Sequence, residues 1–211
     1  MPTTDNKSKI VDTALQMFNN RGIRGVTMDD IASAMHISKR TLYETFANKE
    51  ELLSECMKRL HSSIVERHNV FYTKTDEPVL MALYLIRVNA GSNHRYKHIK
   101  EELNRYYPEI HKQFFEMYAD SFRQALIESL EYAEKHDYLR KGVDIKNVAN
   151  FIVDYVQLHH ISDHTDSGKY AEMMSEIGFT FLRGLMSVDT IRRYESREEE
   201  FHKILNDIDK T

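Results

Sequence analysis

Residues 27–49, TMDDIASAMHISKRTLYETFANK, constrain the fold of this chain more than any other stretch. Thr27 with Asp30 three residues on is a capping box in its acidic form, so a helix starts there. Ile31, Ala32 and Met35 supply its inner face. Ser38 caps the next helix, in which Leu42 and Phe46 sit four apart and point inward. Asn48 with Glu51 makes a further box and opens a long helix through Leu52, Leu53, Met57, Leu60 and Ile64. Two short helices are therefore separated only by a turn at Met35-His36-Ile37, and a small residue, Ala32 or Ala34, must stand where they cross. Lys39, Arg40, Thr41, Glu44 and Thr45 lie off the Leu42/Phe46 face, with Tyr43 flanking it. A short braced helix carrying polar side chains fits the DNA major groove, which is about 12 Å wide.

The rest of the chain reads as helix. Ile10, Val11, Ala14, Leu15, Met17 and Phe18 form a stripe at helical spacing that ends near Arg21-Gly22, where glycine can take a left-handed cap. Further helices are predicted near 77–91, 94–105, 108–136, 144–163, 170–186 and 189–209. They are separated by Glu77-Pro78, Gly91, Tyr107-Pro108, Gly142 before an Asp144 cap, and Ser167-Gly168. No segment alternates with period two for long enough to make a strand, so the fold class is all-α.

Composition bounds the function. Cys56 is the single cysteine, which rules out an internal disulfide framework and fits a reducing cytosol. The start MPTTDNKSK has no apolar core, so no signal peptide is expected, and no apolar run approaches the roughly 20 residues of a membrane helix. The expected location is cytoplasmic, with no membrane partner. Net charge is −4, but residues 1–49 carry seven Lys and Arg against five Asp and Glu. Positive charge is thus biased toward the N-terminal segment, where a local field near phosphates matters more than the total.

The string IASAMHISKRTLYETFANKEELL resembles the TetR family of bacterial one-component regulators. The resemblance rests on Thr27, Ile31-Ala32, Ile37-Ser38, Thr41-Leu42-Tyr43, Phe46 and Lys49-Glu50-Glu51-Leu52, preceded by Ala14, Phe18 and Gly22, and covers roughly residues 8–55. It implies a three-helix helix-turn-helix domain over 1–48 and a helical effector-binding and dimerisation domain over 49–211. It further implies a homodimeric transcriptional regulator, usually a repressor, released from a near-palindromic double-stranded DNA operator by a small-molecule effector, with no enzymatic activity and no cofactor.

The resemblance also implies roles by position. Lys39 and Arg40 become base readers, since either cation can donate to guanine O6 and N7. Thr45 reaches a base or a thymine methyl. Thr27, Thr41, Tyr43 and Lys49 become phosphate contacts, and Ser38 either caps its helix or touches the backbone. The sequence departs from the family at His36 and at Arg40, where glycine is common. The pocket it implies falls among aromatics: Tyr84, Phe114, Tyr118, Phe122 and Tyr155, with Arg87 or His159 as polar anchor. Aromatics at helical spacing more often form core, so this is the weaker expectation. The stripes within residues 145–186 would pair with their copies across a two-fold axis, and Gly178 and Gly184 would allow close approach there.

One alternative is an all-α metal- or ligand-binding protein or enzyme using His94/His98 and His160/His164, each four apart, with Asp163 beside the second pair. No third ligand has a set position and no His-Glu-x-x-His motif occurs. Exposed or locally hydrogen-bonded histidines are the better reading, and no metal site is assigned.

Overall fold

The computed structural model describes residues 4–73, 75–158, 167–197, 199–200 and 203–204. Among the described residues ten helices follow one another: α1 Thr4–Arg21, α2 Met28–Ala34, α3 Lys39–Thr45, α4 Lys49–Tyr72, α5 Pro78–Arg95, α6 Lys97–Tyr106, α7 Pro108–Lys135, α8 Ile145–Leu158, α9 Ser167–Arg183 and α10 Val188–Glu195. The described residues contain no strand. The nearest thing to one is a single antiparallel bridge between Leu139 and Met186.

The chain forms two compact units, Met1–Ser63 with Tyr96–Tyr118, and Ile64–Arg95 with Ala119–Thr211. The first unit thus holds α1 to α3 and the start of α4, and also α6 and the start of α7. A boundary at residue 48, as the sequence suggested, is not where contacts divide: Leu52, Leu53, Cys56, Met57 and Leu60 of α4 are buried and complete the N-terminal core. Both α2 and α3 have only seven residues, too short to persist alone in water. Burial of Ile31, Ala32, Leu42 and Phe46 with Ala14 and Phe18 of α1 holds them. Ala34, the other candidate for the crossing point, is exposed.

The second unit is built around α5, which is buried almost continuously from Val79 to Ala90 and packs on α9 and α8. Gly178 of α9 is where that packing is tightest. A Cβ there would lie 3.0 Å from Ile86 Cδ1 of α5, so its close approach is made within the unit. Gly142 (φ +81°) ends the turn after α7, and Asp144 Oδ1 accepts from Asn147 N at 3.0 Å to cap α8. The α7–α8 and α9–α10 loops are joined by Arg140 N donating to Leu185 O and Ser187 N donating to Tyr138 O, each at 2.8 Å. The first two-thirds of the expected helix over 144–163 is α8, and residues 159–163 lie outside the described residues. Of the expected helix over 189–209, α10 is the first part and closes at Glu195, where Ser196 N turns back to Arg192 O; residues 199–200 and 203–204 are again helical, and 198, 201–202 and 205–209 lie outside the described residues.

His36 occupies the turn between α2 and α3 at φ +54°, a left-handed conformation that costs a side-chain-bearing residue about 1–2 kcal/mol. Replacing it with glycine removes that cost but loosens the unfolded chain. His36→Gly should therefore raise the unfolding free energy by roughly 0.5–1 kcal/mol, whereas β-branched His36→Val should lower it. Urea denaturation of the three proteins checks the order.

Candidate nucleic-acid interface

The helix pair is set by its caps. Thr27 Oγ1 accepts from Asp30 N at 3.1 Å, while Asp30 Oδ2 accepts from Thr27 N at 2.8 Å and from Thr27 Oγ1 at 2.7 Å. The backbone hydrogen bond from Thr27, with that from its hydroxyl, holds the Asp30 carboxyl below its ordinary range. The turn then folds on itself: Ile37 N donates to Ala32 O at 3.0 Å and His36 N to Ser33 O at 3.1 Å. Ser38 Oγ caps α3 by accepting from Thr41 N at 3.0 Å, and its hydroxyl also meets Thr41 Oγ1 at 2.8 Å. With Leu42 and Phe46 turned into the core, the opposite side of α3 faces outward.

That outward side carries Lys39, Arg40, Tyr43 and Glu44. Arg40 is the most open, with its side chain 88% exposed. Its Nε donates to Glu44 Oε1 at 2.8 Å, one turn along the same helix. Lys39 Nζ lies 2.5 Å from Asp29 Oδ2 on α2, and this hydrogen bond raises the ammonium pKa. Exposed pairs of this kind contribute little to stability, so Lys39 can exchange its carboxylate for a base edge at small cost, while Arg40 keeps its two terminal amino groups beyond the Nε bond. The Tyr43 ring is half exposed beside them. Thr45 is held more tightly, its hydroxyl donating to Thr41 O at 2.9 Å.

Lys49 departs from expectation. Its ammonium donates to Ile23 O at 2.6 Å and to Val26 O at 2.5 Å and lies 5.8 Å from the Phe18 ring centroid. Partial burial lowers its pKa. Rather than facing solvent as a phosphate contact, it ties α4 to the loop between α1 and α2. Asn48 caps that helix as expected, accepting from Glu51 N at 2.8 Å, but the returning Glu51 carboxylate reaches Ala47 N at 2.7 Å, one residue earlier than a strict capping box. Sequence reading missed a second tie on the same loop. Arg24 N donates to Glu102 Oε2 at 3.0 Å and Arg24 Nη1 to the Tyr106 hydroxyl at 3.1 Å, with the guanidinium 4.6 Å from the Tyr106 ring. No local spacing signals a contact across some eighty residues. The Arg40–Glu44 pair, by contrast, is a local contact at i, i+4 spacing.

The expected effector residues divide between the two units. Phe114 and Tyr118 fall in the first unit, where Phe114 packs edge-on against Phe115 at 5.3 Å. Tyr84, Arg87, Phe122 and Tyr155 fall in the second. Tyr84 stacks on Phe71 at 4.0 Å and donates to Arg67 O at 3.0 Å, and Phe122 is buried, so both are core. Arg87 is buried, with Glu172 Oε1 3.9 Å from its Nη2. Tyr155 lines a groove of about 170 Å³, shared with Ile86, Phe151, Val156, Met174 and Phe181; among the described residues none of the other expected ones lines that groove. His159, His160, Asp163 and His164 lie outside the described residues, as does the side chain of His94. Among the described residues no group of three His, Cys, Asp or Glu side chains is placed to hold a metal ion, and no helix is long and apolar enough to cross a membrane.

Residues 10–56 match the profile of bacterial regulatory proteins of the tetR family. That segment is the DNA-binding region of the TetR family. A relative in Mycobacterium tuberculosis, the HTH-type transcriptional repressor KstR2, is 25% identical over 152 residues, covering 70% of this chain and 76% of the relative. The negative transcriptional regulator IcaR of the biofilm operon icaADBC in Staphylococcus epidermidis is 33% identical over 60 residues, covering 28% and 32%. A transcriptional regulator from Cytophaga hutchinsonii shares the fold, with a TM-score of 0.72 at 17% identity over 85% of this chain and 98% of that one. The matched segment contains the caps Thr27, Ser38 and Asn48 and the buried Ala14, Phe18, Ile31, Leu42 and Phe46, and the chain is a DNA-binding regulator. Replacing the Lys49 ammonium by a thioether leaves two loop carbonyls short of a charged donor, a loss of about 2 kcal/mol. Lys49→Met should therefore lower the urea midpoint; a midpoint equal to that of the unaltered protein would show that the tie has no structural weight.

Proposed function

We propose that the protein is a homodimeric repressor whose two α3 helices enter successive major grooves of a near-palindromic operator. The single observation that carries this reading is the outward face of α3: two cations, held only by exposed carboxylates, on a helix whose opposite side is locked into the core. Lys39 and Arg40 read base edges. Tyr43 and Thr41 approach phosphates, together with Thr27 at the N-terminus of α2 and Ser38 at that of α3. Thr45 contributes its methyl group rather than its occupied hydroxyl.

Dimerisation follows from a second observation. On α8 and α9, Phe151 is 55% and Ile177 40% exposed, and Phe151 stacks on Phe181 at 5.2 Å and on Tyr155 at 6.2 Å. A contiguous aromatic and aliphatic face of this sort suits an isologous two-fold contact. It lies within residues 145–186. Its place of action is the cytoplasm, where the operator is. Residues of the second unit, among them Tyr155 and the buried Arg87, bind a small-molecule effector. The effector acts by population shift, preferring a conformation whose α3 helices are out of register with the operator. Coupling of a few kcal/mol suffices for release, and α4 and α7, each with residues in both units, are the continuous elements available to transmit it.

Selection from a random duplex pool tests the reading. The expected winner is a near-palindrome with half-sites about 10–10.5 base pairs apart or a multiple of that. Lys39→Ala should cost about tenfold at one position per half-site. Phe151→Glu should yield a monomer in sedimentation and weaken operator binding by more than about tenfold. A pool without enrichment, or a full-affinity monomer, would contradict the proposal.

A further inference from the structure

The charge pattern of α3 is the reverse of the one that stabilises a helix. Anions favour the first turn and cations the last. Here Lys39 and Arg40 open the helix, Glu44 stands in its final turn, and there is no acid in the first turn and no base in the last. The neighbouring α2 obeys the rule, with Asp29 and Asp30 in its first turn. The Arg40–Glu44 pair is also in the weaker order, since the acid-before-base arrangement is the favourable one at i, i+4. With side chains 88% and 54% exposed, the pair contributes little to folding. Stability therefore does not account for a carboxylate at position 44, although a carboxylate facing DNA is repelled by every phosphate.

We propose that Glu44 is a specificity-determining residue that steers Arg40 to guanine. The inference rests on the reading of α3 as the helix that enters the groove. Glu44 Oε1 takes the Arg40 Nε–H at 2.8 Å, which leaves the two terminal amino groups of the guanidinium as a free fork. That fork matches the O6 and N7 acceptors of guanine end-on. The bond also stops the long side chain from swinging to the backbone, where a guanidinium is equally attracted but reads no sequence. The second carboxylate oxygen adds repulsion against phosphate, so the same residue raises the ratio of specific to non-specific binding from both sides.

The test uses the full-length dimer and its selected operator, with fluorescence anisotropy at two or more salt concentrations for wild type, Glu44→Ala, Glu44→Gln and Arg40→Ala. In wild type, changing the guanine read by Arg40 should cost about tenfold in affinity, the size of one bidentate base contact. Glu44→Ala should cut that discrimination to a few-fold. It should also strengthen binding to unrelated duplex and steepen the salt slope by about one as Arg40 turns to phosphate. Glu44→Gln keeps an acceptor for Nε, so it should restore the guanine preference while non-specific binding stays strengthened. Three results would overturn the proposal: unchanged discrimination in Glu44→Ala, equal weakening on every sequence, or a Gln variant indistinguishable from Ala. If wild type enriches no sequence at all, the reading of α3 itself fails, an outcome distinct from these.

Discussion

The burial of Ile31, Leu42 and Phe46 against α1 is the contact on which the rest depends. Two seven-residue helices have no independent stability, and their caps at Thr27 and Ser38 contribute about 1 kcal/mol each at most sites. What holds them is a small apolar core completed by the first turns of α4. Because Leu42 and Phe46 are spent on that core, α3 has no freedom to rotate, and its polar side is presented outward in one orientation. Recognition of a base edge requires that kind of fixity, since a bidentate contact is lost with a small displacement.

A second layer of ties fixes the loop between α1 and α2. Lys49 holds the carbonyls of Ile23 and Val26 from α4, while Glu102 and Tyr106 of α6 hold Arg24. Both are within the first unit, which is why α6 groups with the helix-turn-helix rather than with the helices around it in sequence. The loop that sets the entry to α2 is therefore bonded to two helices from outside the three-helix segment. A shift of either helix changes the support of the recognition helix, which gives the proposed effector response a physical route inside this unit.

Legibility from sequence followed the range of the interactions. The caps of α2, α3 and α4 were readable because an N-cap bond spans three residues, and the turn at Met35-His36-Ile37 because it lies between two capped helices. Proline at the start of α5 and α7 marked those boundaries in the same way. The fate of Lys49 was not readable: a lysine in the first turn of a helix looks like an anion site until the carbonyls of a distant loop are brought to it. The aromatic residues expected to line a pocket were hard to read for a similar reason. Tyr84, Phe114 and Phe122 have the spacing of a pocket lining and of a core alike, and only packing separates the two. Gly178 looked suited to a partner helix, whereas its missing side chain accommodates Ile86 of α5.

The central claim is that the cations of α3 lie against guanine in the major groove, twice per dimer. Dimethyl sulfate methylates guanine N7, which faces that groove, so protection of a selected operator reads the claim directly. The account predicts two protected patches about 10–10.5 base pairs apart or a multiple of it, with protection at one guanine in each lost in Arg40→Ala. Bound duplex in which every guanine N7 remains reactive, or a single protected patch per dimer, would contradict it.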